Sequence, residues 1–169
     1  MSYVDTSVIV ARYKTGDPLQ RVAERFFGSS GETRFVSPLT IVELFSVFSR
    51  ILESVTLSLG HTEIDDVTRL EAVVQASLVD CRLSAVSLPL RAEWTLADRR
   101  LSVPSEYAEA RKLAPSLRLK TLDILHVAYS SLLRKSGTPI AEFVTGDEEL
   151  VSRSEPIQRL TGIRVVRPS

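Results

Sequence analysis

Three apolar stretches of the sequence each contain a single acidic residue. These residues are Asp5, Glu43 and Asp123, and each stretch is 11 to 13 residues long. Charged residues make up 25% of the chain, so a stretch of this length is expected to contain about three of them. An ionised carboxylate in an apolar segment is costly unless it pairs with a cation or binds a metal. The three positions are therefore candidates for metal binding or catalysis.

A fourth carboxylate, Asp147, follows the predicted strand 140–145 in the same way that Asp5 follows the first strand. Ligands of open parallel sheets bind beyond the carboxyl ends of the strands, so these two side chains are expected at one edge. If the helices that carry Glu43 and Asp123 reach that edge, four carboxylates meet. Two such charges about 4 Å apart repel by roughly 1 kcal/mol in water and about 4 kcal/mol near a protein surface. The hard cations Mg²⁺ and Mn²⁺, which prefer oxygen ligands, would offset this repulsion.

Each acid taken alone also has a structural interpretation. Asp5 could cap a helix N-terminus, and Glu43 could pair with an arginine distant in sequence. Asp123 could stabilise the start of its helix through the helix dipole, and Asp147 could belong to a solvated acidic turn with Glu148. The combination of the four, in apolar segments and at strand ends, is what favours a metal site.

Short apolar strands alternate with helices along the chain. The pattern predicts strands at 3–4, 34–37, 83–88, 140–145 and 162–166, and helices over 8–13, 18–27, 38–54, 62–79, 89–101, 104–114 and 121–135. This alternation predicts an α/β fold, a three-layer α/β/α sandwich with a central, mainly parallel sheet. We expect one domain over residues 1–169, with a local helical elaboration at about residues 61–115.

The composition is that of a globular protein without charge bias. Twenty-one basic and 21 acidic residues give a formal net charge of zero, which disfavours a protein that coats nucleic acid through bulk electrostatics. The single cysteine, Cys81, excludes an internal disulfide and a zinc site built from thiolates alone. No apolar run approaches the roughly 18 residues of a transmembrane helix, and no basic segment of the secretory type opens the chain. We therefore expect a cytoplasmic location and no membrane partner.

Four segments around the acids resemble the motifs of PIN-domain ribonucleases, in particular those of the VapC-type toxins. They are VDTS (Val4–Ser7), SPLTIVEL (Ser37–Leu44), LDILHVA (Leu122–Ala128) and FVTGD (Phe143–Asp147). The resemblance runs in order over essentially the whole chain. It implies the PIN-like sandwich fold and an acidic site that binds Mg²⁺ or Mn²⁺ at the carboxyl edge of the sheet.

The resemblance also assigns roles to particular residues. The catalytic and metal-binding acids would be Asp5, Glu43, Asp123 and Asp147, and the residues that support them would be Thr6, Ser7, Thr145 and Glu148. It implies a metal-dependent endoribonuclease that leaves 5′-phosphate and 3′-hydroxyl ends. The chain would be the toxin of a toxin–antitoxin pair, would be inhibited by an antitoxin that inserts an Arg or Lys, and would form a homodimer. The spacing between the second and third acids is longer than in compact family members.

Other residues allow more than one interpretation. His126 lies one helical turn after Asp123, where packing is favoured over metal binding or general-base catalysis. Trp94 and Tyr107 could stack on an RNA base, although packing in the core or in an interface is the favoured interpretation. Basic residues that could contact phosphates are Arg12, Lys14, Arg50, Arg118 and Lys120.

Two other functions compete with RNA cleavage. One is a PIN-type module that binds RNA or protein without catalysis, and the presence of all four acids disfavours it. The other is a phosphatase of the haloacid-dehalogenase type, whose nucleophilic Asp also follows the first strand. That enzyme needs a second acid two residues later, where this chain has Ser7.

Overall fold

The computed structural model describes residues 1–29, 31–55 and 65–169, and these form seven strands. The strands are β1 (Ser2–Val4), β2 (Arg34–Val36), β3 (Leu83–Ala85), β4 (Arg91–Leu96), β5 (Arg99–Pro104), β6 (Glu142–Val144) and β7 (Arg164–Val166). Five of them form one sheet in the order β3-β2-β1-β6-β7, with every neighbouring pair parallel. The predicted central parallel sheet is confirmed, with β1 in the middle.

Eight α-helices lie in the described part of the chain. They are α1 (Thr6–Tyr13), α2 (Gln20–Gly28), α3 (Pro38–Ile51), α4 (Asp66–Asp80), α5 (Ser105–Leu117), α6 (Thr121–Lys135), α7 (Glu148–Ser152) and α8 (Ser154–Thr161). None of these helices is both long and apolar enough to cross a membrane. The predicted helix 62–79 and the expected elaboration both start at positions that lie outside the described residues.

The helices cover both faces of the sheet because successive side chains of a strand point to opposite faces. Tyr3 and Phe143 pack into one apolar cluster, which contains residues of α5, α6, α7 and α8. Val4 and Val144 pack into a second cluster, which contains residues of α1, α2, α3 and α4. Two buried layers on a central sheet make the α/β/α sandwich that the sequence predicted.

The segment 89–101 differs from its prediction, because it forms an antiparallel hairpin of β4 and β5 instead of a helix. Ala92 and Trp94 alternate with exposed neighbours, which is the period of a strand. The two-residue turn consists of Ala97 and Asp98, whose φ values are 47° and 61°. Such turns usually carry Asn-Gly or Asp-Gly. Because this turn contains no glycine or asparagine, the sequence lacked the usual hairpin signal.

Helix α5 also departs from its expected end before Pro115. The helix continues to Leu117 with the proline inside its last turns. Leu117 is fully buried, so packing offsets the hydrogen bond that a proline removes. Arg118 then adopts a left-handed φ of 52° and ends the helix.

Candidate active site

The carboxyl ends of β1 and β6 bring Asp5 next to the segment that leads to Asp147. The two strands are parallel neighbours, and the Asp5 N–H donates to the Val144 carbonyl at 2.9 Å. Asp5 is 8% exposed. Its Oδ2 accepts hydrogen bonds from Ser7 Oγ at 2.6 Å and from Thr145 Oγ1 at 2.7 Å. Both hydroxyls therefore orient the carboxylate through one oxygen.

Asp147 is held at the start of α7. Its Oδ1 accepts from the backbone N–H groups of Glu149 and Leu150 at 2.6 and 3.3 Å, which is the geometry of a helix N-cap. Its own N–H donates to Thr145 Oγ1 at 3.0 Å. Thr145 thus links the two aspartates, since its hydroxyl donates to Asp5 and accepts from Asp147. The sequence suggested a capping role for Asp5, but Asp5 makes no side-chain cap on α1, and Asp147, interpreted as part of a solvated turn, caps α7 instead.

Asp123 reaches the same edge from the first turn of α6. Its Oδ2 is buried and has no hydrogen-bond partner in the described ranges. Burial, together with the charges of Asp147 and Asp5, raises the pKa of Asp123 to about 6, with Lys120 acting in the opposite direction. A bound cation would give this buried oxygen a partner and would offset the repulsion from the neighbouring carboxylates.

Glu43 lies in different surroundings, on α3. Its Oε2 accepts from His126 Nε2 at 2.6 Å and from the Thr6 hydroxyl. Burial favours a raised pKa for Glu43, but the hydrogen bonds and the charge of His126 outweigh burial and lower it. The partner of this glutamate is therefore a histidine, where the sequence suggested an arginine.

His126 is 1% exposed and bridges the sheet and two helices. Its Nδ1 lies 2.7 Å from the hydroxyl of Tyr3 on β1, and its Nε2 contacts Glu43. Burial opposes protonation of the ring, but the oxygens of Tyr3 and Glu43 and the charge of Asp5 raise the pKa of His126 to about 10. The raised pKa favours the imidazolium form of the ring, in which both nitrogens are donors.

The sequence matches the family model described as the PIN domain over residues 2–154. The chain belongs to the PIN domain family. Proteins of this family are ribonucleases, hydrolases that act on RNA phosphodiester bonds and are metal-dependent as a family. The predicted family and reaction class are thereby confirmed.

The PIN fold of this chain also resembles a solved structure, that of VapC20 from Mycobacterium tuberculosis, a sarcin–ricin loop cleaving toxin. The TM-score is 0.55 and the sequence identity 18%, over 90% of this chain and 94% of that chain. At this identity the likeness concerns the fold. No curated protein matches the sequence.

Asp5, Glu43, Asp123 and Asp147 lie at one edge of the sheet, which we call the acidic edge. It includes one further acid that the sequence did not indicate. Glu149 contributes to raising the pKa of Asp123, and its carboxylate lies 3.1 Å from Lys120 Nζ. Glu148, which was expected to assist, pairs with Arg167 and its side chain is 78% exposed. Glu148 begins α7, and Glu149 follows it with its N–H donating to the capping Asp147.

The acids of the PIN domain provide the ligand type that a divalent cation prefers, but their side chains are not arranged as a metal site in this structure. In ranges 1–29, 31–55 and 65–169, no group of three acidic, histidine or cysteine side chains is close enough together to hold a metal. The donor set nevertheless consists of carboxylate oxygens, and the buried Oδ2 of Asp123 is without a partner. Carboxylates that share a site repel one another, and a divalent cation among them would offset this repulsion. Among the described residues, Asp123 Oδ2 has no hydrogen bond to lose on turning toward a cation, whereas Asp5 and Asp147 are held by theirs.

Ser7 bears on the phosphatase alternative. It stands where a haloacid-dehalogenase-type enzyme needs its second acid, and here its hydroxyl donates to Asp5. It also accepts the N–H of Gly146 at 3.1 Å. Ser7 therefore joins the two strand ends of the PIN domain and supplies no acid–base group.

Proposed function

We propose that this PIN domain is the toxin of a toxin–antitoxin pair, a VapC-type endoribonuclease that uses Asp5, Asp123 and Asp147 to hold Mg²⁺ or Mn²⁺. The observation that carries the proposal is the buried, unpartnered oxygen of Asp123 beside two like charges. Structural acids of this kind normally acquire a hydrogen bond or a basic partner. Here the site retains an excess of negative charge that a divalent ion would neutralise.

The side chains of the site have separable roles in this proposal. When bound, the ion lowers the pKa of a water molecule and neutralises charge on the scissile phosphate. Ser7 and Thr145 hold Asp5 in a fixed rotamer through its Oδ2. Asp147 is fixed by its own helix cap. Asp123 is the flexible member, since none of its contacts restrains Oδ2 in the described residues.

Glu43 has a supporting role in the proposed site. The His126 imidazolium and the Thr6 hydroxyl occupy its Oε2, which leaves Oε1 as the oxygen that could bind a metal-bound water. A neutralised glutamate adds acceptor capacity beside the aspartates and adds less repulsion than a free one. This is why all four acids can share one edge of the sheet.

Lys120 and the dimer surface bear on the proposed partners. The antitoxin would insert an Arg or Lys among the acids, and Lys120 already illustrates how a cation fits there: the pKa of its ammonium is raised by Glu149, Asp123 and Asp147.

For the homodimer we favour the exposed apolar side chains on α3 and α4. They are Val42, Val67 and Val79, at 64%, 67% and 73% exposure. The proposed location is the cytoplasm.

The decisive experiment is a cleavage assay on structured RNAs with Mg²⁺, Mn²⁺ or EDTA. Because the structurally similar VapC20 is a sarcin–ricin loop cleaving toxin, an oligonucleotide of that loop is the first substrate, followed by transfer RNAs. We expect cleavage with either metal, none with EDTA, and 5′-phosphate and 3′-hydroxyl ends. Release of inorganic phosphate, or metal-supported binding without cleavage of any RNA, would overturn the proposal.

A further inference from the structure

A cleft lies between the hairpin, α5 and the first turns of α6. One stripe of α5 forms its floor, with Tyr107, Ala110, Arg111 and Ala114 at the spacing of a single helix face. Trp94 of β4 forms one wall of the cleft, which has a volume of about 280 Å³. Ligand pockets begin at roughly 300 Å³, so the cleft suits one planar ring system better than a larger molecule.

The groups around the cleft have the chemistry of a stacking site. The Arg111 guanidinium lies 5.1 Å from the centre of the Trp94 ring, and Tyr107 is 48% exposed. Trp94 is only partly buried and is not part of either apolar cluster. Its indole nitrogen has no acceptor in the part of the chain that the structure describes. Packing alone therefore does not account for a tryptophan at this position.

The cleft lies beside the acidic edge. Thr121 and Ile124 line it, and Asp123 stands between them in sequence on the same first turn of α6. Asp123 points to a different side of that turn, because consecutive helical residues are about 100° apart. A helix is about 10–12 Å across, so the cleft and the acids are separated by about one helix diameter, which a short stretch of RNA can span.

The charge around the cleft complements a phosphate backbone. Residues 91–120 contain seven basic and four acidic residues, in a chain whose net charge is zero. Arg99 and Arg100 are exposed on the hairpin. Lys120, next in sequence to the cleft residue Thr121, is exposed and pairs with Glu149. A basic surface with aromatic side chains is the usual combination for single-stranded nucleic acid.

We infer that this cleft binds an unpaired RNA base, stacked on Trp94 and Arg111, and so sets which nucleotide near the scissile phosphate the protein accepts. The inference rests on the proposed ribonuclease function. Protein interfaces also use Trp, Tyr and Arg, but the surplus of basic residues around this cleft favours an occupant with a phosphate backbone over a protein segment or a second copy of the chain.

The single tryptophan of the chain permits a direct binding test. The protein carries Asp123→Asn so that RNA is bound but not cut, and Trp94 fluorescence is followed during titration. The probes are oligoadenylate and an abasic ribose phosphate chain of the same length. Both carry the same backbone charge, but only oligoadenylate has bases. We expect saturable quenching by oligoadenylate and about ten- to a hundredfold weaker binding of the abasic chain. Equal affinity for the two probes would overturn the inference.

Variants test the side chains with matched controls. With labelled oligoadenylate, Trp94→Leu should weaken binding about tenfold or more, while Trp94→Phe, which keeps an aromatic ring, should stay within a few fold. Arg111→Gln should weaken binding, whereas Arg159→Gln, an exposed arginine on α8, should not. Thermal unfolding and far-UV circular dichroism check that each variant is folded.

The failure of this inference is distinguishable from the failure of the proposed function. If Trp94→Leu cuts and binds RNA like the wild type while Asp123→Asn abolishes cleavage, the base pocket is wrong and the nuclease stands. If Trp94→Leu changes the mass measured by sedimentation and leaves RNA affinity unchanged, the cleft is an interface between copies, which also overturns the pocket. Binding of labelled oligoadenylate that Trp94→Leu weakens and Trp94→Phe retains supports the pocket even where the metal site fails its own test.

Discussion

The Asp123 side and the Glu43 side of the acidic edge hold the same kind of charge in opposite surroundings. Asp123 has like charges as neighbours, a buried oxygen without a partner and a pKa raised to about 6. Glu43 has an imidazolium and a hydroxyl on one oxygen, and its pKa is lowered. Within the residues that the structure describes, Oδ2 of Asp123 therefore lacks the hydrogen-bonded partner that the fold gives to Glu43.

This difference explains how the fold tolerates so many carboxylates at one edge. The cost of placing the Glu43 charge near the sheet is offset internally by His126, so only the aspartate side is left with uncompensated repulsion. Function and stability are therefore opposed on the Asp123 side and aligned on the Glu43 side. Substitutions on the two sides should have effects of opposite sign on the free energy of unfolding.

The largest expected effect is that of Asp123→Asn. The change removes a proposed metal ligand, so cleavage should fall by about a hundredfold or more, while the metal-free protein should unfold at an equal or higher temperature because repulsion is relieved. Cleavage rates and thermal unfolding in EDTA measure the two effects. Glu24→Gln, at an exposed position of α2, is the control. Clear destabilisation by Asp123→Asn would mean that this carboxylate is structural.

The opposite sign is expected for His126→Leu. Glu43 would lose its cationic partner while remaining largely buried, and breaking a buried pair costs about 3–5 kcal/mol. Because the Glu43 side chain is 18% exposed, we expect the lower part of that range. Urea unfolding of His126→Leu, Glu43→Leu and the double variant measures the coupling. Additive losses in the double variant would show that the two side chains do not stabilise each other.

The two sides should also respond to pH in different windows. The pKa of Asp123 rises from 3.8 to about 6 on folding, so the folded state binds the extra proton and stability in EDTA should fall as the pH rises from about 4 to 6. Relative to Asp123→Asn the fall should be on the order of 1–2 kcal/mol, allowing for partial solvent screening. An identical pH dependence in the two proteins would contradict the raised pKa.

For His126 the stabilisation is complete below its unfolded pKa of 6.5 and is lost as the pH rises through about 10. Wild type should therefore lose stability relative to His126→Leu between neutral and alkaline pH, and not below neutral. NMR of the ring nitrogens measures the same property directly, since both should remain protonated at pH 8. A ring that deprotonates near pH 6.5 would remove the distinction between the two sides.

The sequence predicted the Asp123 side better than the Glu43 side, because a general rule of sheet topology covers the first and no such rule covers the second. Asp5 and Asp147 follow adjacent parallel strands, and a general rule about strand ends is sufficient to bring them together. The contact of Glu43 with His126 joins residues 83 positions apart on two helices, and no periodicity encodes which faces of these helices meet. That the acids bind a metal stays a prediction.

Local backbone geometry accounts for the other differences between the sequence-based predictions and the structure. The sequence does not show which of Glu148 and Glu149 lies near the acids, because this depends on how α7 begins. The start of α7 is known only from the hydrogen bonds that Asp147 accepts from the following backbone amides. The hairpin was missed because its turn uses Ala97 and Asp98 at positive φ. An alanine there adopts a conformation that costs roughly 1–2 kcal/mol, so the sequence pattern favoured the helix that does not form.

The smallest expected effects come from replacing one threonine by valine on the Asp123 side and one on the Glu43 side. Thr145→Val removes the hydroxyl that orients Asp5, and Thr6→Val removes the hydroxyl on Glu43. Each should lower the free energy of unfolding by about 1 kcal/mol, the net contribution of one hydrogen bond. Their metal affinities should differ, because Asp5 is a proposed ligand and its orientation is worth about tenfold in binding, while Glu43 keeps His126. Titration with Mn²⁺, followed by electron paramagnetic resonance, measures both, and equal losses in the two variants would mean that Glu43 binds the ion as directly as Asp5.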